Sequence, residues 1–163
     1  MQPQVIMERN WVTSLKLSVP QYASDLMHNI ESAMTEHTLH EVEAHSCALA
    51  AALAMGAGEL AFEITMSTVL FGNDIREEVA QNVVALTVDV VDTEFYVSCD
   101  DWINESADIK ATPHALAASL VLRNTHRSTK LAESLEENGY TKQQLRDIAR
   151  IASVIPALGK CLI

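Results

Sequence analysis

Residues 83–91 read VVALTVDVV, and six of the nine are β-branched. Such residues fit a pleated, half-buried surface, so the stretch could pass for a buried strand. A strand here would make the chain mixed α/β; a helix would make it all-α. No Gly or Pro interrupts residues 74–112, and nothing else in the chain offers a lone strand a partner. The helical alternative places Ile75, Val79, Val83, Leu86 and Val90 at spacings of four, four, three and four, one face of a 3.6-residue period. The spacing predicts a helix that Asn73 caps and that runs to about Tyr96.

Outward from this segment the helical pattern repeats. Towards the N-terminus, residues 59–71 predict a helix ending at Gly72. Before it, Thr38 and Glu41 read as a Thr-x-x-Glu capping box. Leu39, Val42, Ser46, Leu49 and Leu53 follow as a stripe that Gly56 and Gly58 end. Pro20, a favoured first helical residue, opens a helix carrying Tyr22, Leu26, Ile30 and Met34. Towards the C-terminus, Leu116, Leu120 and Leu131 lie on one helical run that Asn138 and Gly139 close. Thr141 with Gln144 is a second capping box, and Leu145, Ile148, Ala152 and Ile155 bury a last helix that Pro156 ends. The chain has 163 residues, only five Gly and four Pro, and its apolar content is carried by Ala, Leu, Val and Ile. The expectation is one compact all-α domain spanning 1–163, with six or seven helices.

Charge is unevenly placed on a chain of net charge −11. Residues 1–120 hold 18 acidic and 4 basic side chains, whereas residues 121–163 hold 4 and 7. An acidic body argues against nucleic acid, which needs a broad basic surface. A small basic patch on it suits a small anionic ligand or an acidic neighbouring subunit. The longest apolar run, CALAAALAM, is too short to span a membrane, and MQPQVIMERNW lacks the basic-then-apolar order of a signal peptide. A cytoplasmic location is expected, with no membrane partner. Cys47, Cys99 and Cys161 are far apart and form no Cys-x-x-Cys, so no disulfide framework is expected.

The basic residues concentrate in RNTHRSTK, residues 123–130. His126 and Lys130 stand at i, i+4 on one helical face, with Arg127 beside them. A histidine next to two cations could move a proton on an anionic substrate, acting as a base because its neighbours disfavour the charged form.

The segments VPQYASDLMHNIESAM, ALAAALAMGAGELAFEI, VVDTEFYVSCDDWI and NGYTKQQLRDIARIASVIPAL occur in the order found in alkylhydroperoxidase D. The chain resembles that family, and the carboxymuconolactone decarboxylases that share its fold, over nearly its whole length. The resemblance implies helices that assemble into trimers or hexamers. It also implies a peroxidase whose Cys-x-x-Cys reduces hydroperoxides with help from a Glu–His relay. Counted back from Gly139, that motif falls on Asn124, Thr125, His126 and Arg127, where neither cysteine is present. The relay glutamate falls on Thr112 and the relay histidine on Leu131, so only His126 has a counterpart.

Four functional readings stay open. The first is an oligomeric binding or scaffold protein that keeps the fold without the thiol chemistry. The second is an acid–base enzyme in which His126, Arg127 and Lys130 are catalytic. The third is residual antioxidant chemistry through Cys47, Cys99 or Cys161; His45 and Cys47 point to different faces and do not activate each other. The fourth is a metal site on the stripe His37, Glu41 and His45. The two histidines lie about 12 Å apart along the axis, too far to share an ion, and Glu41 belongs to the capping box. A solvated face is the simpler account of that stripe, and neither a metal nor a cofactor is expected.

Overall fold

The computed structural model describes residues 11–67, 72–95 and 109–162. The chain is all-α: among the described residues there are eight α-helices and no strand. They are α1 (Trp11–Lys16), α2 (Ser24–Thr35), α3 (Glu41–Ala54), α4 (Gly58–Ser67), α5 (Asn73–Phe95), α6 (Pro113–Val121), α7 (Thr125–Glu137) and α8 (Lys142–Cys161). The β-branched stretch lies in α5. Val79, Val83 and Leu86 are buried while Val84, Thr87 and Val88 face out, which is the helical spacing and not an alternating one.

Two helices made of small residues form the centre. Residues 44 and 46–52 of α3, and residues 113–119 of α6, are all buried. Helices hydrophobic on every side belong in the middle of a fold, and alanine surfaces let their axes approach closely. α3 packs on α4, α5, α6 and α8, and α6 packs on α5, α7 and α8. The larger side chains close the core from outside: Trp11, Ile30, Ile64, Leu135, Ile148, Ile151, Ile155 and Leu158 are fully buried.

The helix count exceeds the six or seven expected for two reasons. The short α1, held to the core by the buried Trp11, Val12 and Leu15, is announced by no periodic pattern. The single run expected over 113–138 is broken at residues 122–124, giving α6 and α7. Three further expectations need correction. Pro20 precedes a short 3-10 turn, Gln21–Ala23, rather than opening the helix; this shifts the phase and leaves Tyr22 82% exposed. The box at the start of α3 is formed two residues later, where the Glu43 carboxylate accepts the His40 N–H at 3.2 Å. Pro156 does not end α8, which continues five residues beyond it because Leu158 and Gly159 remain buried against the core. The box at Thr141 and Gln144 forms reciprocally as expected, at 3.1 and 2.9 Å.

Three of these helices end in the same way. In each, a residue with left-handed backbone donates its N–H to the carbonyl three residues back, and the next N–H reaches the carbonyl five residues back. At α3 these bonds are Gly56 to Leu53 and Ala57 to Ala52; at α7 they are Gly139 to Glu136 and Tyr140 to Leu135. At α6 they are Arg123 to Leu120 and Asn124 to Ser119, both 3.1 Å. The left-handed residue is Gly56 (φ 81°) or Gly139 (φ 98°) in two turns and Arg123 (φ 59°) in the third. Arginine carries a Cβ into a conformation that glycine adopts freely.

Candidate functional site

The octet 123–130 spans that third turn and the first turns of α7. Asn124 is the N-cap, its side-chain oxygen accepting the Arg127 N–H at 3.1 Å. On α7, Ser128, Leu131 and Leu135 face the core. His126 and Lys130 are exposed and share the outward face, as their i, i+4 spacing requires, and Arg127 is half-buried. None of these three lines the cleft that α7 borders.

That cleft lies between α6, α7 and α8 and has a volume of about 630 Å³. Leu116, Leu120, Ala132, Leu145 and Ala149 give it an apolar wall. Arg123, Thr125, Ser128 and Thr129 gather polar groups at the end nearer the α6–α7 turn. Ser128 is buried, its hydroxyl 2.8 Å from that of Ser119, which in turn donates to the Leu116 carbonyl at 2.9 Å. The Thr129 hydroxyl donates to the Thr125 carbonyl at 2.9 Å and keeps its lone pairs for an outside donor.

Thr112 and Leu131 have structural work here. Thr112 caps α6 by accepting the Ala115 N–H at 3.2 Å, and Leu131 is buried. Beside Thr112, the His114 ring is buried with Nε2 at 2.7 Å from Asn82 Nδ2 and 3.2 Å from Thr112 Oγ1. Burial lowers its pKa, Lys110 adds to that and Glu78 opposes it. The ring is therefore neutral at pH 7, and the single lone pair of its Nε2 accepts from the Asn82 amide.

The cysteines divide. Cys47 is fully buried in α3, and burial first and then the Glu43 carboxylate push its thiol well above the ordinary range. Such a thiol forms no thiolate at neutral pH. Cys161 is half-buried at the end of α8, both are free, and Cys99 lies outside the described residues. Glu43 also accepts the Tyr140 hydroxyl. The phenol is pushed up to about 12 by burial and by that carboxylate.

The stripe on α3 differs from its expected form. Glu41 is free of the capping box, and its two oxygens lie 3.3 Å from His37 Nε2 and 3.5 Å from His45 Nε2. The His37 side chain is only 3% exposed and that of His45 15%, whereas Glu41 is 61% exposed, so the stripe is solvated at its carboxylate and covered at its histidines. Trp11 Nε1 donates to His45 Nδ1 at 3.1 Å, its ring edge-on to the imidazole. Among the described residues no three His, Cys, Asp or Glu side chains are grouped so as to hold a metal ion.

Nearby, Asp147 of α8 is buried and accepts the Thr38 N–H at 2.8 Å, the Thr38 hydroxyl at 2.5 Å and Gln143 Nε2 at 3.1 Å. Burial alone would raise its pKa. The Thr38 and Gln143 hydrogen bonds and the nearby His37 outweigh that and hold it below the usual carboxylate value. Asp147 thus ties α8 to the corner between α2 and α3. Neither the cleft nor this tie was singled out from sequence. The one cue to the first was an arginine, not a glycine, at the end of a helix.

No family model matches the chain, and no curated protein matches it. No described helix is long and apolar enough to cross a membrane.

Proposed function

We propose that this chain is a divergent alkylhydroperoxidase D-like protein that has lost the thiol chemistry and serves as an oligomeric binding or scaffold protein. The observation that carries this reading is the turn at residues 124–127. In place of two thiols it holds a helix cap, the Asn124 side chain bonded to the Arg127 N–H. The position of the relay glutamate is likewise a cap, Thr112, and Cys47 is locked in the protonated form by burial. A peroxidase needs an accessible thiolate and a resolving thiol, and these residues supply neither. A trimer or hexamer is the assembly that the resemblance suggests.

The test combines peroxide turnover and native mass. Supplied with hydrogen peroxide or an organic hydroperoxide and a dithiol reductant, the protein is expected to show no turnover beyond that of a variant with all three cysteines replaced by serine. Native mass spectrometry is expected to return a discrete oligomer. Turnover that disappears with a single Cys→Ser substitution would overturn the reading.

A further inference from the structure

The cleft between α6, α7 and α8 has walls of two kinds, and they point to one class of ligand. Its volume of about 630 Å³ falls in the range of small-molecule sites. From Thr125 to Ala132 the axis of α7 rises about 10 Å, so the cleft is long enough for a short hydrocarbon chain or one aromatic ring. No carboxylate lines it, although the protein is strongly acidic. Its one cation, Arg123, is exposed and has no ion-pair partner among the described residues. The positive end of the α7 dipole and the negative end of the α6 dipole meet at this turn, so the positive charge at this end of the cleft is that of Arg123 itself.

Arg123 has a second distinguishing mark. Of the three helix ends closed by the same pair of hydrogen bonds, two use glycine at the left-handed residue and this one uses arginine. Glycine would close the α6 turn without backbone cost, so the turn itself does not account for the side chain. What the side chain adds is a guanidinium, with donors in a planar fork suited to a carboxylate, at the mouth of an apolar cleft.

We propose that this cleft binds a small organic carboxylate with an apolar body. Arg123 holds the carboxylate together with the hydroxyl of Thr125, and the hydrocarbon lies along Leu116, Leu120, Ala132 and Leu145. This rests on the binding-protein reading above and gives that reading a ligand class.

The test is calorimetric titration of the intact protein with sodium octanoate, with octan-1-ol as the uncharged counterpart and acetate as the anion without a body. Octanoate is expected to bind in a one-to-one ratio per chain, at least about tenfold more tightly than octanol, and acetate not measurably. Arg123→Gly keeps the turn and removes the guanidinium, and is expected to weaken octanoate at least about tenfold while leaving octanol unchanged, the size of one lost charge-assisted bond. Arg123→Lys is expected to restore part of that loss, since lysine returns the charge but not the fork. Ala132→Trp fills the wall and is expected to weaken both ligands. The proposal is overturned if octanoate and octanol bind alike, if Arg123→Gly binds octanoate as the parent does, or if octanoate does not bind at millimolar concentration. Peroxide turnover is measured on the same protein. Turnover without a change in octanoate binding would refute the thiol-free reading and leave the cleft standing, and the converse result would separate them the other way.

Discussion

Asp147 offers the sharpest test of how the helices are held together. Its carboxylate takes the backbone and hydroxyl protons of Thr38 on one oxygen and the Gln143 amide on the other, in a buried position. Hydrogen bonds to a charged acceptor contribute about 1.5–3 kcal/mol each, and an abandoned buried donor costs about 1–3 kcal/mol. Asp147→Ala removes all three acceptor contacts and strands the Thr38 N–H, for an expected loss of about 3 kcal/mol. Asp147→Asn is milder. Its remaining oxygen can stay on Thr38 while its NH2 faces Gln143, whose amide can turn to present oxygen. Only the charge is lost, and about 2 kcal/mol is expected. In a chain of this length that lowers Tm by roughly 4–8 °C.

The pH dependence fixes the cause. The folded carboxyl has a pKa below its ordinary value of 3.8, so the unfolded chain binds the proton more readily. The stabilisation is therefore fully present above the unfolded pKa and is lost as pH falls through the lower, folded one. Thermal melts followed by circular dichroism from pH 7 down to pH 3 should show the gap between parent and Asp147→Asn constant near neutrality. The gap should then shrink below about pH 4. A gap under 1 °C at pH 7, or one that is the same at the lowest pH reached, would refute the reasoning.

Arg123→Gly should raise Tm by about 1–4 °C. The left-handed backbone costs an ordinary residue about 1–2 kcal/mol, and the entropy of glycine returns part of this. Gly159→Ala places a Cβ 2.4 Å from Met55 Cε and 2.6 Å from its Sδ, the far end of a flexible side chain that can swing aside, and alanine is the better helix former; denaturant titration should return a net change within about 1 kcal/mol. Combined with Met55→Ala it should cost less than the two alone, with a coupling of at least about 0.5 kcal/mol. Iodoacetamide at pH 8, with peptide mapping, should modify Cys47 in denaturant and leave it unmodified in the native protein, because burial keeps its thiol protonated.

How much of this was legible in the sequence depends on whether the controlling force was local. Helical periodicity identified α5 against the β propensity of its valines, because the buried face repeats at helical spacing from Val79 through Val83 to Leu86 and outweighs single-residue preference. The Thr141 box was legible because donor and acceptor are three residues apart. The Thr38 box was not, since Thr38 is engaged by Asp147, 109 residues away, and the cap forms two residues later. The same remoteness explains Pro156, where burial of Leu158 and Gly159 keeps a helix going that local rules would end. His37 looked solvated because nothing near it in the chain reveals that its ring packs inside.

The octet 123–130 shows where residue type alone misleads. His126 and Lys130 drew attention as a chemical pair, yet helical geometry turns both outward, and an exposed imidazole lacks the enclosure that directs proton transfer. Arg123 is the least conspicuous of the octet's cations in sequence, because its distinction is conformational. It stands where the other two turns of the same design have glycine, and its side chain lies at a cleft without a carboxylate. If that side chain only decorated the surface, replacing it with glycine would stabilise the fold at no functional cost. If it holds a ligand, the same substitution must raise Tm and lower affinity together. A structural role predicts neither the loss of affinity nor its partial return with lysine, so stability and binding measured on one variant separate the two.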